Sequence, residues 1–152
     1  MKKGVGTVDV SVEQNKTYER ILGLDKLETF VRFAEKVNQS KSDLLRLLKK
    51  CKEEGKKVIS YGASSKSTTI FNYCGIGPEL ISYITDTTPE KQGKLSPGMH
   101  IPVMSPEQGF NETVDYAYLG AWNFIQEIKN KEIDFVAGGG KFISHVPLVK
   151  FV

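Results

Sequence analysis

The sequence predicts an α/β fold: a Rossmann-like domain with a mainly parallel sheet flanked by helices and preceded by a long N-terminal helical segment. Three observations lead there. A short β-prone run, Val58-Ile59-Ser60-Tyr61, passes directly into a turn of small residues and then a helix, Gly62-Ala63-Ser64-Ser65-Lys66-Ser67. Further strand-like runs then alternate with helical stretches, the pattern of right-handed crossovers in one sheet. The 152 residues also fit one domain of ordinary size, long enough to bury about two-thirds of the surface that the unfolded chain exposes.

Taken in order, Val8 to Val12 alternate Val-Asp-Val-Ser-Val, which predicts one short strand with a single apolar face. From Leu24 to Cys51 apolar residues recur at helical spacing, including Leu27, Phe30, Val31, Ala34, Val37, Leu44, Leu45 and Leu48. That predicts one long helix, or two with a break near Asn38 to Ser42. After the Val58 to Tyr61 strand, the helix runs through Thr68 to about Tyr73 and stops at Cys74-Gly75-Ile76-Gly77-Pro78, where two glycines and a proline cannot continue it. A second strand, Ile81 to Thr85, ends at Asp86. Six turn formers, Pro89, Gly93, Pro97, Gly98, Pro102 and Pro106, predict a long ordered loop from Thr87 to Pro106, with a third short strand at Ile101 to Met104. Asp115 to Ala121 is the next β-prone run, an amphipathic helix holds Phe124, Ile125 and Ile128, and Phe142 to Val146 follows three glycines as the last strand. Counting Val58 to Tyr61 as the first, the expected order is 3-2-1-4-5. Residues 1–23 form an N-terminal strand and linker, and 24–152 the Rossmann-like domain.

Composition narrows the function. With 39% hydrophobic and 26% charged residues, neither a disordered chain nor a coiled-coil rod is suggested. The net charge of +3 comes from lysines and from Arg20, Arg32 and Arg46, interspersed with acids, and lacks the dense basic stripe of a nucleic-acid binder. Met1-Lys2-Lys3-Gly4 leads into no signal-like apolar run, and nothing later is long enough to span a membrane, so neither nucleic acid nor membrane is expected as a partner. Cys51 and Cys74 have no cysteine or histidine at metal-ligand spacing. No metal site is expected, and free thiols suit a cytoplasmic location.

In an open parallel sheet, ligands bind beyond the carboxyl ends of the strands where the order reverses, here between strands one and four. Gly62, Ala63, Ser64, Ser65 and Ser67 offer small side chains, hydroxyls and a helix N-terminus, which favour a phosphate; an ordinary capped turn fits the same residues. Lys66 opposes the helix dipole by about 0.3–1 kcal/mol unless an anion lies nearby, although a lysine reaching into water is the alternative. Asp86 stands where dinucleotide-binding folds place a ribose-accepting acid, and Asp-Thr-Thr-Pro is equally a turn former. Trp122 and Asn123 offer a stacking face and an amide at the switch point, or Trp122 is a core side chain. His100 and His145 show no catalytic spacing.

Together, Tyr61 to Ser67, Asn72-Tyr73-Cys74-Gly75-Ile76-Gly77, Asp86 with Lys91-Gln92-Gly93, Pro97-Gly98-Met99-His100-Ile101-Pro102 and Ala121-Trp122-Asn123-Phe124 resemble the C-terminal domain of S-adenosylmethionine-dependent C-methyltransferases acting on nucleotide-linked deoxysugars. The resemblance runs from about Leu24 onward. It implies a substrate-side role, in which the Gly62 to Ser67 turn, Lys66, Asp86, Lys91, Trp122 and Asn123 frame a nucleotide diphospho-sugar. A zinc-binding segment and a methyltransferase domain precede this domain in such enzymes. No cysteine cluster and no second glycine-rich strand-turn-helix unit is present here, so S-adenosylmethionine is expected to be held by a domain supplied in cis or in trans, and the chain alone to bind no cofactor. Ser67 departs from the glycine expected there, which narrows the approach to a diphosphate. His100 is a candidate for proton transfer whose role the sequence leaves open. Two other classes compete. A small NAD-binding domain suits the fold and Asp86, against Ser60 and Ser67 at fingerprint glycines. A non-catalytic interaction module would be favoured by an exposed apolar stripe on the Leu24 to Cys51 helix.

Overall fold

A computed structural model of the chain describes residues 8–111 and 113–152. It divides into two compact units, one ending at Gln39 and one comprising Ser40–Val152. Residues 1–7 of the expected N-terminal segment lie outside the described residues.

The first unit corrects the expectation for Val8 to Val12. Helix α1 (Val10–Ile21) stands where the alternation predicts a strand. Alternation over five residues specifies a strand only when one face is buried, and Val8, Val10 and Val12 are all exposed. Asp9 instead adopts extended backbone and accepts a hydrogen bond from Ser11 N at 2.8 Å, capping a helix with Glu13 in its first turn and Arg20 in its last. Helix α2 (Leu27–Glu53) is unbroken, so the Leu24 to Cys51 periodicity resolves into one long helix. Asn38 to Ser42 contains no glycine or proline to interrupt it.

The second unit is built around a six-stranded sheet of order β3-β2-β1-β4-β5-β6. Its strands are β1 (Val58–Tyr61), β2 (Ile84–Thr85), β3 (Val103–Met104), β4 (Tyr116–Leu119), β5 (Lys141–Ser144) and β6 (Lys150–Phe151). The first five pair in parallel and β6 runs antiparallel to β5. The expected order 3-2-1-4-5 is therefore observed, with an unforeseen edge strand added. Strand β2 is shorter than Ile81 to Thr85, but Ser82 N donates to Val58 O and Ser60 N to Tyr83 O, so the ladder beside β1 begins before the strand itself.

Side chains on the two faces of the sheet enter different cores. Val58, Ile84, Tyr118 and Ile143 pack with Leu44, Leu48 and Cys51 of α2 and with Phe71 of α3 (Ser65–Cys74). Ile59, Ala117, Leu119 and Phe142 pack with Ile128 of α5 (Ile125–Lys131) and with Phe135 of α6 (Ile133–Ala137). Helices thus cover both faces, as a parallel sheet requires. A single turn of helix, α4 (Pro106–Gly109), follows β3. Among the described residues no helix is long and apolar enough to cross a membrane.

Candidate functional site

The carboxyl end of β1 is where the local sequence forces an unusual backbone. Gly62 adopts φ +94°, a conformation that a side chain would strain, and its N–H donates to Thr85 O at 2.8 Å. Ser64 then caps α3 in a capping box: its Oγ accepts from Ser67 N at 3.1 Å, and Ser64 N donates to Ser67 Oγ at 3.0 Å. The Ser64 hydroxyl donates to Gly120 O at 2.7 Å, tying the turn to the end of β4. Ser67, buried at its N3 position, has its Oγ 2.8 Å from Ser64 O and 3.1 Å from Gly62 O. Ser67 therefore closes the turn where the family resemblance leads one to expect glycine.

Asp86 and Lys91 belong to the same construction. Asp86 Oδ2 accepts from Ala63 N at 2.7 Å and lies 3.1 Å from Lys91 Nζ, while Oδ1 accepts from Thr88 N at 2.9 Å. Lys91 Nζ also donates to Ala63 O at 2.9 Å. Partial burial works against the Asp86 charge, but the hydrogen bonds from Thr88, Lys91 and Ala63 outweigh it and hold its pKa below the usual aspartate value. The predicted ligand-facing acid thus performs the turn duty that Asp-Thr-Thr-Pro also permits.

What remains directed outward is small and cationic. The N–H groups of Ser65 and Lys66, at the first two positions of α3, have no partner among the described residues, as expected for a helix N-terminus. Lys66 Nζ sits 5.6 Å from the centre of the Trp122 indole. Trp122 and Asn123 lie on a 3-10 turn, Trp122–Phe124, directly after β4, with Trp122 half-buried and Asn123 exposed. Gly62 and Asp86 also border a cleft of about 290 Å³ whose walls include Tyr61, Thr87, Phe124 and Lys131.

The structure therefore brings together Gly62, Ala63, Ser64, Ser65, Lys66, Ser67, Asp86, Lys91 and Trp122, with Asn123 beside them. His100 is placed elsewhere. Its loop packs on the last turn of α3, where Asn72 Nδ2 donates to Pro97 O at 2.9 Å, whereas the glycine turn lies at the first turn of a helix roughly 15 Å long. Sequence reasoning missed Gly120. A Cβ there would come within 2.5 Å of Gly62 O and 2.9 Å of Tyr61 O, so only glycine lets β4 end against the turn. Tyr61 and Phe124, which stand within the motifs at the switch point but carry no expected binding role, form walls of the cleft. Burial and the Glu132 carboxylate, to which the Tyr61 hydroxyl donates at 2.8 Å, push the Tyr61 pKa up.

A glycine turn leading into a helix at the switch point of a parallel sheet, with backbone N–H groups and an ammonium facing out, defines a Rossmann-like domain receptive to an anion. The chain belongs to the family described as the C-methyltransferase C-terminal domain, whose profile matches residues 1–147. It is similar to a protein of Streptomyces niveus named C-methyltransferase NovU, 37% identical over 129 residues, which are 85% of this chain and 31% of that protein. The chain thus spans about a third of the length of this relative. A methyltransferase family implies S-adenosylmethionine for the full-length proteins. The outward groups of the Gly62–Ser67 turn are N–H donors and a cation, which do not suit the positively charged sulfonium of that methyl donor.

Proposed function

We propose that this chain is the substrate-side domain of a C-methyltransferase and binds a nucleotide diphospho-sugar at the switch point between β1 and β4. One observation carries the reading. The hydroxyls of Ser64 and Ser67, the Asp86 carboxylate and the Lys91 ammonium are all engaged in holding the turn, so the groups left over, Ser65 N–H, Lys66 N–H and Lys66 Nζ, are the kind that receive a diphosphate. The framework is hydrogen-bonded within itself without a ligand, which lowers the ordering cost of binding. Trp122 and Asn123 flank the same point and would contact the sugar or base. A methyltransferase domain in cis or in trans supplies S-adenosylmethionine, and this chain orients the acceptor. The two free, buried cysteines suit a cytoplasmic setting.

The test is a thermal-shift and calorimetric panel of nucleotide diphospho-sugars, nucleoside diphosphates, NAD and S-adenosylmethionine, on the wild type and Lys66→Ala. A nucleotide diphospho-sugar is expected to stabilise the chain by mass action, and Lys66→Ala to weaken it by about tenfold or more, the effect of losing a charge-assisted contact. Binding of NAD with equal strength, or indifference to Lys66→Ala, would sink this reading.

A second reading has its own observation. Leu27, Phe30, Val31 and Phe33 on the N-terminal half of α2 are exposed, Leu27 at 74%. That stripe favours an interaction module, and binding by none of the panel would favour it over the ligand site.

A further inference from the structure

Tyr118, His145 and Trp122 form a line of rings whose position the ligand reading does not explain. Tyr118 on β4 has no exposed surface, and its hydroxyl lies 2.7 Å from Nδ1 of His145, the residue after β5. The two rings lie nearly parallel with centroids 5.3 Å apart. The phenol proton has no other acceptor among the described residues, and burial pushes the Tyr118 pKa up, so Tyr118 donates and Nδ1 accepts. The neutral imidazole therefore carries its proton on Nε2. One hydrogen bond and one stacked face fix the plane of His145.

His145 in turn meets Trp122 edge-to-face, centroids 4.8 Å apart and planes at 82°. The backbone beneath Trp122 is a three-residue 3-10 turn without a side-chain cap. The indole, half-buried, rests on the edge of the core that holds Ile59 and Phe142, so His145 supplies the aromatic contact that sets its orientation from the other side. Lys66 Nζ approaches the same indole. The chain of contacts thus runs from the centre of the sheet to the mouth of the Gly62–Ser67 turn.

We propose that His145 is a positioning residue: anchored by Tyr118, it holds the Trp122 indole beside Lys66 as a preformed wall of the ligand site. The positioning stands on the ring geometry alone, while its benefit to a ligand rests on the diphospho-sugar reading. A wall already in place spares a ligand the cost of ordering it.

Trp122 is the single tryptophan of the chain, so tryptophan emission, excited to the red of tyrosine absorption, reports this ring and no other. The experiment compares acrylamide quenching of Trp122, and affinity for uridine and thymidine diphosphates, in wild type, His145→Ala, His145→Phe, Tyr118→Phe, Trp122→Ala and the double variant that combines His145→Ala with Trp122→Ala. His145→Ala is expected to raise the quenching constant at least twofold and to weaken both diphosphates by roughly three- to tenfold, the equivalent of one aromatic contact. His145→Phe, which keeps an aromatic edge, should recover much of both. The affinity losses of His145→Ala and Trp122→Ala should not add in the double variant, because one acts through the other. A purely structural role would lower stability and leave quenching unchanged in the folded protein; that result overturns the proposal, as does full additivity. Should His145→Ala not fold, Tyr118→Phe removes only the anchoring hydroxyl, with raised quenching supporting the proposal and unchanged quenching overturning it. If wild type binds neither diphosphate while His145→Ala still frees Trp122, the ligand reading falls and the positioning stands.

Discussion

At the scale of single residues, the site separates groups that hold from groups that face out. Residue type leaves Asp86, Ser64 and Ser67 open between ligand contact and turn duty, and the family resemblance implies a ligand role for Lys91 as well. Their hydrogen bonds to Ala63, Gly120 and Gly62 show them holding the turn, a distinction that depends on partners far apart in the chain. Lys66 is more legible, since a cation at a helix N-terminus is unfavourable on local grounds alone. His145, which reads as structural for want of a catalytic spacing, is buried, and burial lowers its pKa from 6.5 to about 4. Between those values the unfolded chain binds a proton that the folded chain does not, so the His145 contribution to stability is complete above pH 6.5 and is lost as pH falls toward 4, by about 3 kcal/mol in all. Urea unfolding at pH 7 and at pH 4.5 should show this loss in wild type and not in His145→Phe. Asp86 acts in a lower window: its folded pKa lies below 3.8, so its contribution is complete above 3.8 and is lost as the pH falls from there through the folded value.

At the scale of elements, the sheet is readable because strand, glycine turn and helix follow one another with strong local signals. Val58–Tyr61 and the αL glycine that ends α3, Gly75, fall where the pattern places them. Elements without such signals escape it. The alternation misreads α1 as a strand because Asp9 can serve either alternation or a cap, and burial decides which. β6 consists of Lys150–Phe151 only, paired antiparallel to β5, and two residues carry no period. Gly120 illustrates a contact between elements that no local pattern announces. Because its blocked Cβ position faces the backbone carbonyls of Gly62 and Tyr61, neither of which can swing aside, Gly120→Ala is expected to cost about 1–3 kcal/mol in chemical denaturation. The same change should weaken diphosphate binding, since it displaces the turn.

At the scale of the whole molecule, the match covers 31% of the length of the Streptomyces relative, and the Gly62 turn passes from β1 directly into α3. On the substrate-side reading, the chain incubated with labelled S-adenosylmethionine and a nucleotide diphospho-sugar should transfer no methyl group. Adding the remaining part of such a relative as a separate polypeptide should restore transfer; methylation by the chain alone would place the donor site within it. The position of the turn within the sheet has a further consequence. β1 is paired on both sides, by β2 and β4, and stands inside the row of six strands with two neighbours toward one edge and three toward the other. A loop on an edge strand can open while the rest of a domain persists, but the segment bearing Gly62 has no such private route, because releasing β1 dissolves the row it joins. Whatever binds there is coupled to the cooperative melting of the sheet, so occupancy at one helix end is felt as the stability of the entire unit.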